Sequence, residues 1–305
     1  MTSHRRKKRK QKRTRIKNVT KTMYNPEQCS PTKGGNSISC LDEELLRKIA
    51  HIINKLKNKK LLHIDTSRGV ESIHDDICYN IGQISDCSSE ACWMNLKSIM
   101  DNLGPDSAKF KGSFKPLMPK KWIKDYNYWL SNSDIEKCLE QYTVTDNSFH
   151  FYGAVPMDFT NCSVSNLCNF DMGGHLKNNK TKIGIVFNTD PSTKSGKHWI
   201  SMYVDMGCHN SPNYGIYYFD SYGDKPSKQV SGLIRKIQEQ GASCKRKMNY
   251  YYNDYSFQKQ DSQCGIYAIH FIKQMLDGKS FNNYLKGKLT DRTMIKLRDE
   301  YFVRL

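Results

Sequence analysis

Three short runs of aromatic and β-branched residues constrain the fold of this chain more than any other feature. They cover residues 182–188, 198–205 and 215–221, and Gly, Asn, Pro or Asp residues bound each run, as is typical of strands that end in turns. A longer apolar run with helical spacing follows at residues 266–276. Because strands and helices mix here without a regular βαβ repeat, the sequence predicts an α+β fold.

Four further elements complete this prediction. They are a helix that begins near Asp42, a helix within residues 129–142, a helix over residues 229–240 and a strand over residues 249–253. Ser133 or Asp134 is expected to cap the second of these helices, because either side chain can accept a hydrogen bond from the first free N–H groups.

The 305 residues divide into three predicted regions. Residues 1–40 form a basic tail and a linker rich in Pro, Gly, Ser and Asn, which are expected to be disordered. Residues 41–112 form an accessory region that is mainly helical, and residues 113–305 form a larger domain. No stretch reaches the roughly 18 apolar residues of a membrane span, so we expect no membrane-spanning segment.

The basic tail has an unusual charge. The first 20 residues carry ten Lys or Arg and no acidic residue, out of a net charge of +18 for the whole chain. Such a block repels itself and stays in water, so it predicts a tail outside any core. Two interpretations fit it: a nuclear-import or nucleic-acid-binding arm, and a solubilising tail without a specific partner. No apolar segment follows it, which argues against a secretory signal.

The cysteine pattern bears on redox state and on metal binding. Eleven cysteines are scattered along the chain, an odd number without a secretory context, which predicts reduced thiols rather than a disulfide scaffold. A candidate set of zinc ligands consists of His74, Cys78, Cys87 and Cys92. Its spacings lack the CxxC pair of usual zinc modules, so buried structural thiols are the better interpretation.

One cysteine is distinguished by its position. Cys264 precedes Gly265 and the apolar run of the predicted helix, which places its sulfur near the N–H groups and the positive end of the helix dipole. Such a position favours the thiolate, which is the nucleophilic form. Gly265 leaves the backbone uncrowded, so that an acyl group can approach the sulfur. Position alone also fits a buried structural thiol, and a thiol nucleophile needs a base.

His198 and Asp220 can supply a base and a group that orients it. His198 begins the second predicted strand, and Asp220 lies at the end of the third. If these two strands pair antiparallel, the beginning of one lies beside the end of the other. The imidazole and the carboxylate then lie side by side, as a Cys-His-Asp triad requires. Single His or Asp residues at strand ends also occur in ordinary turns.

These residues resemble a known group of enzymes. His198, Asp220 and Cys264 follow one another in this order, Trp199 comes directly after the histidine, and Gln258 lies six residues before the cysteine. This arrangement is similar to that of the ubiquitin-like-protein protease and adenovirus protease group of cysteine proteases. More narrowly, WLSNSDIEKCLEQY, FYGAVPMDF, GIVFNTDPSTKSGKHWISMYVDM, YYFDSYG and QCGIYAIHFI resemble the polyprotein-processing proteases of large nucleocytoplasmic DNA viruses.

The resemblance covers about residues 115–300 and implies both a fold and a set of roles. The implied fold is a SUMO-protease-like core, a central mixed sheet packed by helices, so that residues 113–305 become a catalytic domain. Cys264 is then the expected nucleophile, His198 the general base and later the acid, and Asp220 the group that orients the imidazole. Gln258 is expected to donate its side-chain amide to the oxyanion.

Three more residues receive substrate-related roles from the resemblance. Trp199 and Trp129 are similar to the aromatic walls of the narrow tunnel that admits a Gly-Gly end in SUMO proteases, and Asn188 is expected to brace the loop before His198. Walls that close over the backbone leave no room for Cβ atoms, which predicts glycine on the acyl side of the cut. For all three residues, core or turn packing is the alternative interpretation.

The resemblance thus implies a viral cysteine endopeptidase that cleaves structural polyproteins after Gly-Gly during virion maturation, without a metal ion or an organic cofactor. A viral structural polyprotein is the expected substrate, and the virion and the host cytoplasm are the expected locations, with the nucleus as an alternative suggested by the basic tail. Two other functions stay open. One is a hydrolase or acyltransferase that acts on SUMO-like or ubiquitin-like modifiers, and the other is a non-enzymatic, nucleic-acid-binding virion protein.

Two Gly-Gly pairs occur in the chain itself, Gly34-Gly35 and Gly173-Gly174. The first lies between the basic tail and the rest of the chain, which raises the hypothesis that the enzyme removes its own tail. Chance accounts for two such pairs in a chain with 19 glycines.

Overall fold

A computed structural model describes residues 23–32, 38–125 and 127–305. The block of ten basic residues and the Gly34-Gly35 pair lie outside the described residues. Gly173 and Gly174 lie inside the described part, within a short helix over Met172–Lys177. No helix in the described ranges is both long enough and apolar enough to cross a membrane.

The chain separates into two compact units. The first contains the residues up to Leu117 together with Phe302–Leu305, and the second contains Met118–Tyr301. Val303 returns to the first unit because its amide donates to the carbonyl of Pro116, over 2.9 Å, and its side chain joins the buried core of that unit.

The first unit is mainly helical, as expected. Its helices are α1 (Glu43–Lys55), α2 (Val70–Ile84), α3 (Lys97–Leu103) and α4 (Asp106–Gly112), with 3₁₀ turns at Pro26–Gln28 and Glu90–Asn95. Helix α1 begins where the sequence predicts, since the Asp42 carboxylate accepts a hydrogen bond from the Leu45 amide over 2.9 Å. Its apolar stripe, which includes Ile49 and Ile53, is buried in the core of the unit.

Part of the segment interpreted as a linker belongs to this core. Met23, Cys29 and Cys40 are buried and pack with the side chains of α1 and α2. Cys29 and Cys40 are also joined by a disulfide bond. The described residues on both sides of positions 33–37 are therefore fastened to the helical unit.

The prediction that the cysteines are reduced is wrong for six of them. The disulfide bonds are Cys29–Cys40, Cys87–Cys92 and Cys162–Cys168. The partners are only 11, 5 and 6 residues apart, and the folded loops bring their Cα atoms to between 5.1 and 5.5 Å, a distance that a disulfide spans. Cysteine usage therefore gives no support to a reducing compartment.

The candidate zinc ligands do not form a metal site in the described part of the chain. Cys87 and Cys92 are bonded to each other, and no three potential His, Cys, Asp or Glu ligands converge among the described residues. His74 and Cys78 lie instead in a buried polar network around Glu90. The Glu90 carboxylate accepts from the Cys40 amide over 2.9 Å and lies 2.7 Å from the ring nitrogen Nε2 of His74.

We predict that Glu90→Ala destabilises the first unit by about 3 kcal/mol, because it removes the buried acceptor used by His74 and by the Cys40 amide. Urea denaturation followed by circular dichroism measures the change. The control is Glu71→Ala, which removes an exposed carboxylate from α2. Equal midpoints for the two variants would contradict the prediction.

The second unit contains the five strands. Its elements are α5 (Lys120–Lys124), α6 (Asn132–Thr145), β1 (Phe149–Val155), α7 (Met172–Lys177), β2 (Lys182–Asn188), β3 (Trp199–Asp205), β4 (Gly215–Phe219), α8 (Lys228–Ser243), β5 (Tyr250–Tyr252), α9 (Cys264–Leu276), α10 (Phe281–Leu285) and α11 (Asp291–Tyr301), with a 3₁₀ turn at Asn166–Asn169. The strand order in the sheet is β1-β2-β3-β4-β5. The pairs β1/β2 and β4/β5 are parallel, and β2/β3 and β3/β4 are antiparallel. This mixed sheet confirms the predicted α+β class.

Helices cover both faces of the sheet. Ile200, Met202 and Val204 of β3 face one way and pack in a core with α8 side chains such as Leu233. On the other face, Phe219 of β4 stacks on Phe271 of α9, with 5.2 Å between ring centroids. The sheet is therefore the middle layer of three, and β2, β3 and β4 are apolar on both faces.

The N-cap of α6 differs from the prediction. Ser131, rather than Ser133 or Asp134, is the capping residue, and its hydroxyl accepts from the Asp134 amide over 3.3 Å. The Asp134 carboxylate in turn accepts from the Ser131 amide over 2.9 Å. This reciprocal capping box uses Asp134 as its third helical residue, which explains why Asp134 appeared to be a capping residue itself.

Candidate active site

Antiparallel pairing of β3 and β4 brings the two predicted triad residues together. Ser201 pairs with Phe219, so that His198, directly before β3, lies beside Asp220, directly after β4. Nε2 of His198 lies 2.8 Å from Oδ1 of Asp220. The side chains are 13% and 4% exposed, so this contact is largely shielded from water.

Backbone and side-chain contacts fix Asp220 from two directions. Its own amide donates to Oδ1 of Asn253 over 3.0 Å, and the Asn253 amide group donates back to the Asp220 carbonyl over 2.6 Å. The Tyr222 backbone amide donates to Oδ1 of Asp220 over 2.8 Å. Because that oxygen also receives the His198 contact, the carboxylate can orient the ring and balance its charge.

Cys264 is the first residue of α9 and is 1% exposed. Nε2 of His198 is engaged with Asp220, so Nδ1 is the ring nitrogen available to the sulfur. Burial opposes the charge of the ring, but hydrogen bonds and charge attraction from Asp220 and Cys264 outweigh it and raise the pKa of His198 to about 9. The three side chains therefore form one electrostatic unit, in which the imidazole is protonated at neutral pH.

We predict that Cys264→Ala lowers the pKa of His198 below about 9, because the contribution of the sulfur is lost while that of Asp220 remains. An NMR titration of the imidazole carbons measures this pKa. The control is Cys208→Ala, which removes an exposed free thiol and leaves the titration unchanged.

The raised pKa of His198 also determines how the stability of the folded protein changes with pH. A pKa raised on folding stabilises the folded state fully below the unfolded value near 6.5, and this stabilisation is lost as the pH rises through about 9. In Cys264→Ala, the loss of stability still begins near pH 6.5, but it is smaller and is complete at a lower pH than in the wild type. An unchanged titration in that variant contradicts the interaction.

Close packing surrounds Gly265, the residue after Cys264. A Cβ atom on Gly265 would lie 2.9 Å from Cδ1 of Leu130 and 3.3 Å from Cδ1 of Trp199. The indole N–H of Trp199 donates to the carbonyl of Leu130 over 3.0 Å, which fixes these two neighbours against each other. Gly265 is therefore required by space, and the start of α9 lies directly against the predicted tunnel residue Trp199.

Gln258 is buried and its side chain is fully oriented. Its Oε1 accepts from the Ser221 hydroxyl over 2.7 Å, so its Nε2 faces the other way. That nitrogen donates to the Tyr222 hydroxyl over 3.2 Å and to the Gln260 carbonyl. The side-chain amide of Gln258 is thus a donor with a fixed direction. One of its two hydrogens goes to the phenol oxygen of Tyr222 and the other to a backbone carbonyl.

Comparisons with known proteins show which proteases the chain is similar to. Residues 176–305 match the model of the Ulp1 protease family, C-terminal catalytic domain. Residues 176–305 therefore resemble the catalytic domain of that family. Since the relatives below are also cysteine or thiol proteases by name, the chain is a cysteine peptidase.

The curated relatives that match this chain are viral. A thiol protease of Acanthamoeba polyphaga mimivirus is 29% identical over 281 residues, which cover 87% of this chain and 89% of the relative. A cysteine protease of African swine fever virus, strain Badajoz 1971, is 25% identical over 233 residues, which cover 71% of this chain and 83% of the relative. The crystal structure of an African swine fever virus protease shares the fold, with a TM-score of 0.68 at 21% identity over 93% of this chain and 98% of that one.

The remaining predicted residues of this peptidase fall in two places. Asn188 ends β2, and its Oδ1 accepts from the Asp190 and Lys197 amides over 3.0 and 3.2 Å, so it ties together the two ends of the loop that leads to His198. Trp129 is 39% exposed, whereas Trp199 is buried. The structure therefore brings Trp199 against the start of α9 and leaves the indole of Trp129 accessible to solvent.

The sequence interpretation missed Tyr222. Its ring lies 4.7 Å from that of His198, centroid to centroid, and its hydroxyl contacts both Gln258 and, over 3.2 Å, Oδ1 of Asp261. Burial, with Asp261 as the next cause, raises the pKa of this phenol to about 12. The sequence cue that could have identified Tyr222 is its position two residues after Asp220. In the structure, it lies in a tight turn that is closed by a hydrogen bond from the Gly223 amide to the Asp220 carbonyl.

We predict that Gly265→Ala costs about 1 to 3 kcal/mol of stability and most of the peptidase activity, because Leu130 and Trp199 must move. Thermal denaturation and peptide cleavage measure the two effects. Gly232→Ala is the matched control, since nothing lies within 4 Å of a Cβ atom there and α8 gains up to about 1 kcal/mol from the alanine. A Gly265→Ala variant as stable and active as Gly232→Ala rules the packing argument out.

Proposed function

We propose that this peptidase is a viral endopeptidase that cleaves structural polyproteins after Gly-Gly during virion maturation. One observation carries the proposal: His198 is held by Asp220 over 2.8 Å and interacts through its ring with Cys264, at the start of a buried helix. The cysteine and thiol proteases of large DNA viruses to which the chain is similar support the viral assignment.

In the proposed acylation step, Cys264 attacks the carbonyl carbon of the scissile bond. Because the His198 ring is already protonated, the sulfur attacks as the thiolate of the pair and forms a bond to carbon while the carbonyl π electrons move to oxygen. When this tetrahedral species collapses, the C–N bond breaks and the imidazolium gives its proton to the leaving amine. The products of the step are a free amine and a thioester on Cys264.

The thioester is then hydrolysed by water. His198, neutral after it has protonated the amine, takes a proton from the water as its oxygen attacks the thioester carbon. The C–S bond breaks, the carboxylic acid leaves, and the proton stays on the ring beside the sulfur, which restores the starting pair. Asp220 keeps the ring in position through both steps and balances its positive charge.

Gln258 is the proposed donor to the oxyanion. In the structure, its Nε2 donates to the phenol oxygen of Tyr222, which lies beside the His198 ring. The substrate oxygen takes over that hydrogen bond when it enters, and the Tyr222 hydroxyl keeps its contact with Asp261. A donor already aimed by Ser221 needs little reorganisation, which is the property that makes oxyanion donors effective.

A preference for glycine follows from the packing around Cys264. Leu130 and Trp199 lie so close to the start of α9 that they exclude a Cβ atom at Gly265. An acyl chain that enters beside the same indole has little room for side chains of its own, so Gly-Gly is the expected sequence before the cut. Trp129, exposed and near Leu130 in sequence, is the proposed outer wall.

A second function uses the same residues. African swine fever virus relatives carry the name SUMO-1 cysteine protease, and they match this chain with 25% identity. We therefore retain the removal of SUMO-like or ubiquitin-like modifiers as the alternative. The basic tail supports nucleic acid as a further partner, and the virion and the host cytoplasm are the proposed locations, with the nucleus as the alternative.

We predict that an electrophilic peptide ending in Gly-Gly labels Cys264 and that a fluorogenic Gly-Gly-X peptide is cleaved, while Gly-Ala-X and Ala-Gly-X peptides are cleaved more slowly. Peptide mapping by mass spectrometry identifies the labelled residue. Cys264→Ala abolishes both reactions, whereas Cys208→Ala, which removes an exposed free thiol, retains them.

The same assay separates the two candidate functions. Faster turnover of intact SUMO conjugates than of polyprotein peptides favours the alternative. Labelling of a different cysteine, or cleavage by Cys264→Ala, refutes the proposed nucleophile.

A further inference from the structure

A charged side chain is buried completely in the second unit. Arg298 of α11 is 0% exposed, and burial lowers the pKa of its guanidinium to about 10, so it is protonated at neutral pH. A buried cation is costly unless hydrogen bonds and nearby charges offset the loss of water. The contacts of this arginine therefore indicate what it stabilises.

Arg298 donates three hydrogen bonds, all to neutral oxygens. Its Nε donates to Oε1 of Gln263 over 3.1 Å, its Nη2 to the carbonyl of Ser262 over 3.2 Å, and its Nη1 to the carbonyl of Tyr128 over 3.0 Å. The guanidinium carbon also lies 4.3 Å above the Trp122 ring. A planar fork that reaches three acceptors at once fixes their relative positions, which a lysine cannot do.

Two of these acceptors belong to the residues directly before Cys264. Gln263 is the N-cap of α9, and its carbonyl accepts from the Ile266 and Tyr267 amides, both over 3.0 Å. Its side chain makes no cap bond and turns instead to Arg298 and to the Ser262 hydroxyl. The arginine thus sets the position from which the first turn of α9, with Cys264 in it, begins.

The third acceptor connects Arg298 to the segment that leads to Leu130. Tyr128 leads into Leu130, whose side chain contacts Gly265 and whose carbonyl receives the indole N–H of Trp199. Trp199 directly follows His198 in the chain. One guanidinium therefore contacts two segments. The first is the pair Ser262-Gln263 before Cys264, and the second leads from Tyr128 to Leu130, which packs against Trp199.

The charged groups around this arginine are also defined. Cys264 is the first of the groups whose attraction supports the guanidinium charge, followed by Asp125 and Asp134. The sulfur also interacts electrostatically with His198 and Tyr222. The arginine is thus close enough to the proposed nucleophile to interact with it electrostatically.

We infer that Arg298 is a positioning residue of the peptidase: by holding Ser262, Gln263 and Tyr128 it sets the distance between the sulfur of Cys264 and the ring of His198. The inference rests on the proposed role of Cys264 as nucleophile. It predicts a loss in the chemical step without a loss in substrate binding, because Arg298 is buried away from solvent and its contacts are with the enzyme's own loops.

The test compares Arg298→Met with Met294→Ala, a variant that creates a cavity at another fully buried position of α11. Arg298→Met is expected to lower kcat for peptide cleavage by about 100-fold at unchanged KM, as a small misplacement of a catalytic group does. Met294→Ala is expected to lose thermal stability and keep its kcat. Arg292→Met, at an exposed position of α11, controls for the loss of an arginine.

Alkylation by iodoacetamide gives a readout that does not depend on the peptide chosen. Mass spectrometry follows the rate at Cys264 relative to the exposed Cys208 in the same protein. A merely structural arginine loosens the fold when it is removed, and alkylation of the buried Cys264 becomes faster. A positioning arginine leaves the sulfur without its base, and alkylation becomes slower. A faster rate in Arg298→Met overturns the inference.

Two milder variants apply if Arg298→Met does not fold. Arg298→Lys keeps the charge but not the fork and is expected to recover part of kcat, and Gln263→Met removes one acceptor and is expected to lower kcat in the same way. Full activity of Gln263→Met overturns the inference. If Cys264→Ala still cleaves peptides, the proposed function fails and the inference with it; if Cys264→Ala is inactive while Arg298→Met matches the wild type, only the inference fails.

Discussion

The contact between His198 and Asp220 depends on the register of two central strands. The pairing of Ser201 with Phe219 places the residue before β3 beside the residue after β4, and a shift of one position would turn both side chains to the opposite face of the sheet. Helices bury both strands on both faces, so a change of register would disrupt the packing of the second unit. The relative position of His198 and Asp220 is therefore set by the packed sheet and not by the loops in which the two residues lie.

The parts of the fold that follow from local pattern were predictable. Strands β2, β3 and β4 are runs of apolar residues bounded by turn formers, and helix α1 starts at an acidic cap, so each is visible in the sequence alone. The juxtaposition of His198 with Asp220 needed one further assumption, antiparallel pairing, which is the usual arrangement for neighbouring strands joined by a short connection. Position at the start of a helix made Cys264 a candidate among eleven cysteines, and the chain order of His198, Asp220 and Cys264 supplied the base that the position alone does not.

Features that depend on tertiary contacts were not predictable from one sequence. The disulfide partners Cys29 and Cys40 meet because an irregular segment folds onto the helices, and no local pattern encodes that approach. Arg298 is similar: in a helix with exposed arginine and lysine neighbours, nothing in the sequence shows that this cation is the buried one. Tyr222 was adjacent to a predicted triad residue, yet its direction is set by the tight turn at Gly223.

The return of Val303 to the first unit has a consequence for the order of folding. The bond from its amide to the Pro116 carbonyl and the burial of its side chain join residues separated by the entire second unit. During synthesis, domains generally fold as they emerge, the earliest first. Here the helical unit stays incomplete until the peptidase unit has left the ribosome, so the unit that begins first is the one that finishes last.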